Sequence, residues 1–112
     1  MKVRVYFFET QTGKSPIKKF IDGLPLQDQS RFFEVIEEIE LNGIDANTVT
    51  LKPIEGKLWE VKFRSIHSYY RVFYTLLDKE LMVWIHAFSK KTQKTPIHEL
   101  NVARKRLKEI KS

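Results

Sequence analysis

Three observations place this chain in the α+β class. Between Leu58 and Phe88, three runs rich in Val, Ile, Phe, Tyr and Trp follow one another with only short polar turns between them. Two helical patterns precede those runs and one follows, and a short apolar strand opens the chain. The predicted order is β-α-α-β-β-β-α, a small sandwich with a mostly antiparallel four-stranded sheet, two helices before its meander and one at the C-terminus.

With 112 residues, 42% hydrophobic and 12% aromatic, the chain is long enough for one compact core, so residues 1–112 are expected to form a single domain. It has no cysteine, which excludes disulfides and thiolate metal sites and is compatible with a reducing compartment. The opening MKVRVYFFET has too short an apolar run for a signal peptide, and no stretch approaches the roughly 18 apolar residues of a membrane span. A cytoplasmic protein without a membrane partner is expected.

From the N-terminus, Lys2–Phe8 alternates weakly, with Val3, Val5 and Phe7 on one side and Tyr6 and Phe8 on the other, a strand with apolar contacts on both faces. Gln11–Lys14 is a polar turn. Ser15-Pro16 supplies an N-cap and a proline at the first helical position, Ile17, Phe20 and Ile21 share a face, and Gly23 and Pro25 end a helix of about two turns. From Leu26 to Leu41, Phe32, Val35, Ile36 and Ile39 recur near the helical period, and Asn42-Gly43 closes that helix. Glu34, Glu37, Glu38 and Glu40 read as its solvated acidic face. Ile44–Gly56 reads as irregular chain, pinned to the core edge by Leu51 and Ile54.

The meander consists of Leu58–Arg64, Tyr69–Leu77 and Glu80–Phe88. Side chains alternate along a strand, so Leu58, Glu60, Lys62 and Arg64 point one way and Trp59, Val61 and Phe63 the other. One face is expected to be core, with Trp59 and Trp84 in it, and the other to carry charge. Tyr69 and Phe73 share a face with Arg71, and His86 alternates with Trp84 and Phe88. Ser89–Pro96 reads as a loop with three lysines ending in a Thr-Pro helix start. The helix after it carries Ile97, Leu100, Ala103, Leu107 and Ile110 on one stripe, with Arg104, Lys105, Arg106, Lys108 and Lys111 outward or sideways.

The net charge of +6 is local: residues 1–89 hold 12 basic and 12 acidic side chains, and residues 90–112 hold 8 basic and 2 acidic. Such a field suits nucleic acid or an acidic protein, and equally a merely solvated helix face.

The pieces LWEVKFR, YYRVFY and, most specifically, Ala87-Phe88-Ser89-Lys90-Lys91-Thr92-Gln93-Lys94-Thr95-Pro96 before a basic helix resemble the RelE/ParE toxin superfamily, in particular its phage-derived, HigB-like branch. The resemblance spans nearly the whole chain. It implies a RelE-like fold and the toxin of a type II toxin–antitoxin pair, most such toxins cutting messenger RNA on the translating ribosome. It also implies a cognate HigA-like helix-turn-helix antitoxin, with operator DNA bound only through the toxin–antitoxin complex.

Cleavage by attack of a ribose 2′-OH on the adjacent phosphate needs a proton acceptor, cations around the developing phosphorane charge and a donor for the leaving oxygen, and requires no metal or other cofactor. Arg64 and Arg71 flank the turn between the first two meander strands, where guanidinium pairs are suited to clamp a phosphate, and Lys62 shares the face of Arg64. By the resemblance, catalysis goes to Lys62, Arg64 and Arg71, and substrate positioning or acid work to Lys90 and Lys91. Glu60 is either the base or a cross-strand salt-bridge partner of Lys62 or Arg71. Tyr69 is the preferred residue for stacking on an unpaired base. Lys94, Arg104 and Lys105 are candidate RNA or ribosome contacts. His67, His86 and His98 show no metal-ligand spacing and read as structural. A ParE-like gyrase inhibitor and a non-enzymatic nucleic-acid-binding module are the alternatives. ParE-like chains generally lack basic residues on the cleft strands, and the binding module predicts salt-sensitive affinity with no new RNA ends.

Overall fold

The computed structural model describes residues 2–43, 46, 49–90 and 94–111, with Lys90 and Lys111 described by backbone alone. The elements run β1 (Arg4–Phe7), α1 (Pro16–Asp22), α2 (Leu26–Asn42), β2 (Thr50–Glu55), β3 (Leu58–Arg64), β4 (Tyr69–Asp78), β5 (Leu81–Lys90) and α3 (Ile97–Lys111). They form an α+β fold in which three helices cover a mixed sheet of five strands, ordered β1-β5-β4-β3-β2.

The sheet departs from the expected four strands by the addition of β2, which pairs antiparallel with β3 inside the segment read as irregular. Leu51 and Ile54, three residues apart, go to opposite faces, Leu51 against the core under α1 and α2 and Ile54 against the core under α3. A mostly exposed edge strand with one partly buried residue toward each face lacks a one-sided alternation, and Pro53, tolerated at an edge, masks it further. β1 joins β5 in parallel, Arg4 opposite Leu81 and Phe7 opposite Trp84, so β5 is flanked by a parallel and an antiparallel neighbour. β5 also continues through Ser89 to Lys90, two residues into the expected loop.

Both helices before the meander pack on one sheet face. Ser15 caps α1, its Oγ accepting from Lys18 N at 3.3 Å, with Pro16 at the first turn. Phe32 of α2 is fully buried, with its ring centroid 4.9 Å from that of Phe63 and 5.0 Å from that of Tyr70, both edge-on. The acidic face of α2 is only partly solvated: Glu40 Oε2 accepts from Val5 N at 3.0 Å and its carbonyl from Val3 N at 3.3 Å. Glu40 thereby occupies backbone donors beside β1, which sits at one edge of the sheet.

The opposite face is not the open charged surface expected. Leu100 and Ala103 of α3 close over Leu58, Phe73, Ile85 and Phe88, making a second core. Nor do His86 and Trp84 share a face. The register shifts between Phe73, opposite His86, and Tyr74, opposite Trp84, and the intervening Ile85 is taken up as a bulge. Trp84 therefore joins the α1/α2 core, and His86 turns toward α3. Among the described residues, no helix is long and apolar enough to cross a membrane.

Candidate functional site

Strand register sets three cross-strand rows on the α3 side of the sheet. Lys52, Glu60, Phe73 and His86 form one, Thr50, Lys62, Arg71 and Phe88 the next, and Arg64, Tyr69 and Lys90 the last. α3 covers the first two rows over their apolar members, so polarity in those rows is decided by what the helix leaves uncovered.

Glu60 and Arg71 are fully enclosed, each 1% exposed, with Arg71 Nε 3.0 Å from Glu60 Oε2, a charge pair whose alignment falls short of a hydrogen bond. Arg71 NH1 donates to Thr95 Oγ1 at 3.2 Å, tying β4 to the segment that leads into α3. Glu60 is thus the ion-pair partner of Arg71, and it has no surface from which to meet a substrate. Lys62 is half-buried and Arg64 exposed. The Arg64 guanidinium lies 5.6 Å from the centroid of the Tyr69 ring, which is 48% exposed. Arg64, Tyr69 and Lys62 therefore form an accessible cation–aromatic group where β3 and β4 meet at their turn.

Of the other basic candidates, Lys94 is exposed. Lys91 and the side chain of Lys90 lie outside the described residues. Arg104 is spent on Glu55: its Nε and NH2 donate to the two carboxylate oxygens at 2.8 and 2.7 Å, which holds the Glu55 carboxyl below its usual range and raises the Arg104 guanidinium. Lys105 projects from the exposed side of α3.

Two polar clusters went unread in the sequence. Asp28, in the first turn of α2, accepts from Tyr70 OH at 2.6 Å, from Ser65 Oγ and from the backbone N–H of His67, with the His67 ring Nδ1 3.2 Å away. It sits just beneath a groove of about 750 Å³ between α2 and the β3–β4 turn, lined by Ser30, Arg31, Glu34, Arg64, Ser65 and Ile66. The second cluster joins β5 to α3. His86 Nε2 is 2.6 Å from Glu99 Oε1, and Arg106 NH1 is 3.2 Å from His86 Nδ1 and 3.0 Å from Ile85 O. Arginine only donates, so Nδ1 accepts and the ring proton sits on Nε2, directed at Glu99. Burial lowers the His86 pKa, Glu99 opposing and Arg106 and His98 reinforcing that shift, and burial likewise lowers Arg106. The signal for this cluster is the seven-residue spacing of Glu99 and Arg106, two helical turns on one face, but their common target is visible only with the β5 register. Among the described residues, no three His, Asp or Glu side chains converge as metal ligands.

Residues 19–108 match the model of a family described as phage derived protein Gp49-like (DUF891), a span reaching from α1 to the last turns of α3. No curated protein matches the chain significantly. With most of the chain inside that match, including every strand of the meander and the Lys62, Arg64 and Tyr69 group, the protein belongs to the phage-derived Gp49-like family, a toxin-like family of the RelE/HigB type.

Proposed function

We propose that this protein is the toxin of a type II toxin–antitoxin pair and acts as a ribosome-dependent messenger RNA endoribonuclease. The observation that carries the proposal is the accessible Arg64–Tyr69 pair beside Lys62: a guanidinium for phosphate oxygens and an aromatic face for an unstacked base, side by side at one end of the sheet. Lys62 and Arg64 stabilise the charge that gathers on phosphorus as the 2′-oxygen attacks, and Tyr69 holds the neighbouring base. Lys90, Lys91 and Lys94 draw the RNA in, and Lys105 extends the basic surface toward ribosomal RNA. Arg71 contributes from beneath, through Thr95, by fixing the approach of the lysine-bearing segment.

A free nuclease of this kind requires a partner, and a helix-turn-helix antitoxin that covers the basic end of the sheet, and binds operator DNA together with the toxin, meets that need. The test is primer extension on a messenger RNA incubated with purified protein, with and without translating ribosomes, beside Lys62→Ala and Arg64→Ala. Cuts that need ribosomes and disappear in folded variants are expected. Absence of cuts in both conditions overturns the proposal, and a gyrase supercoiling assay then separates a ParE-like inhibitor from a simple binding module.

A further inference from the structure

A nuclease site with Glu60 sealed under α3 still needs a group to take the 2′-proton. The first turn of α3 offers one. Glu99 is partly exposed, 26% of its side chain reaching solvent, while its Oε1 is held by His86. His86 is in turn gripped on its other nitrogen by Arg106, and its ring stacks on Phe88 at 5.7 Å between centroids and 24° between planes. Phe88 stands opposite Arg71, next to Lys62 in the same row. His86, two residues along β5 from Phe88, is therefore roughly 7 Å from that row along the strand. Thr95, bonded to Arg71, lies two residues before α3 begins at Ile97, so the first turn of α3, which carries Glu99, starts from a point fixed to the row of Lys62 and Arg71.

We infer that Glu99 is the general base of the cleavage reaction and that His86 and Arg106 are the residues that position it. The inference rests on the nuclease proposal and deepens it. In the step assigned, Glu99 accepts the proton of the ribose 2′-OH and the 2′-oxygen bonds to phosphorus. The P–O5′ bond breaks, and the departing 5′-oxygen takes a proton from water. The products are a 2′,3′-cyclic phosphate and a 5′-hydroxyl end. With Oε1 held by His86, Oε2 is the oxygen assigned to the proton. The charged groups that face His86 are Glu99, Arg106 and His98, all on α3, and β4 presents Phe73 opposite it. A neutral ring donating one hydrogen bond orients the carboxylate without setting a full positive charge against it.

The test measures single-turnover cleavage by translating ribosomes from pH 5 to 8 for the wild type, Glu99→Gln and Glu99→Asp, with melting curves and binding of a 2′-deoxy substrate that cannot be cut. Glu99→Gln is expected to lose at least about 100-fold in rate, with binding retained and the acid limb of the pH profile abolished. Glu99→Asp is expected to keep that limb at a reduced rate. Cleavage by Glu99→Gln within a few-fold of wild type, with the same pH profile, overturns the assignment. If Glu99→Gln does not fold, wild-type rate and profile in Glu99→Asp overturn it equally. Absence of cleavage by the wild type overturns the nuclease proposal and this assignment together, whereas a wild type that cuts beside an unaffected Glu99→Gln overturns only the latter.

Discussion

Asp28 and Tyr70, 42 residues apart in sequence, are joined by a 2.6 Å hydrogen bond that fastens the first turn of α2 to β4. Burial pushes the Asp28 carboxyl up, but hydrogen bonds from Ser65, Tyr70 and His67 outweigh it and hold the group at about 2. The same bond, with burial as the larger cause, raises the Tyr70 phenol.

Asp28→Asn is therefore expected to destabilise the fold by about 1–3 kcal/mol, since an amide cannot accept from so many donors. A carboxyl depressed in the folded state contributes stability that is fully present above its unfolded pKa of about 3.9 and is lost as pH falls through the folded value. Urea unfolding of the wild type should weaken between about pH 4 and pH 2, and the Asn variant should lack that share of the slope. Equal slopes would show that Asp28 does not carry it.

Removing one member of the enclosed Glu60–Arg71 pair leaves the other's buried charge without that counter-ion. Glu60→Leu or Arg71→Ala alone should cost about 3–5 kcal/mol, whereas Glu60→Leu combined with Arg71→Met should recover much of that loss. Thermal melts of the three variants decide the matter, with additive losses counting against coupling. Loss of cleavage in Arg71→Ala consequently identifies a catalytic group only if that variant is shown to be folded.

Tyr69 is half-exposed and adds little to the core, so Tyr69→Ala should melt near the wild type while weakening single-stranded RNA binding by about 1–3 kcal/mol per stacked base. Fluorescence anisotropy with a short 2′-deoxy oligonucleotide measures this directly. Unchanged affinity would remove Tyr69 from the binding surface.

Gly56, between β2 and β3, has φ +50° with nothing within 4 Å of where a Cβ would stand. Gly56→Ala should then cost about 1–2 kcal/mol from backbone conformation alone, and equilibrium unfolding that shows no loss would contradict that origin.

The helices and the three meander strands were legible because each buries a single stripe or carries a dense apolar run, and periodicity reports that well. Leu51 and Ile54 defeated it, because an edge strand that sends one partly buried residue to each face shows no one-sided pattern. The expectation of an open charged face failed at Glu60 and Arg71 for a related reason. Their sequence neighbours alternate as an exposed comb would, and only the docking of Leu100 and Ala103 on Leu58, Phe73 and Phe88 shows that the comb is roofed. Lys62 and Arg64 were readable together because they alternate onto one strand face, whereas the pairing of Arg64 with Tyr69 follows from the register across the short turn between β3 and β4. Glu99 was not, because its partner His86 is placed by a bulge at Ile85 that no local signal announces.

The parallel pairing of β1 with β5 has a consequence for synthesis. Strand β1 begins at Arg4, but its neighbour begins at Leu81, so the first strand made has nothing to join until three quarters of the chain has left the ribosome. α1 and α2 are likewise finished before the sheet they cover exists. Arg64 and Tyr69 are translated well before α3, which builds the second core on their side of the sheet. A nascent or prematurely terminated chain thus carries these basic and aromatic residues without the helix that completes the second core.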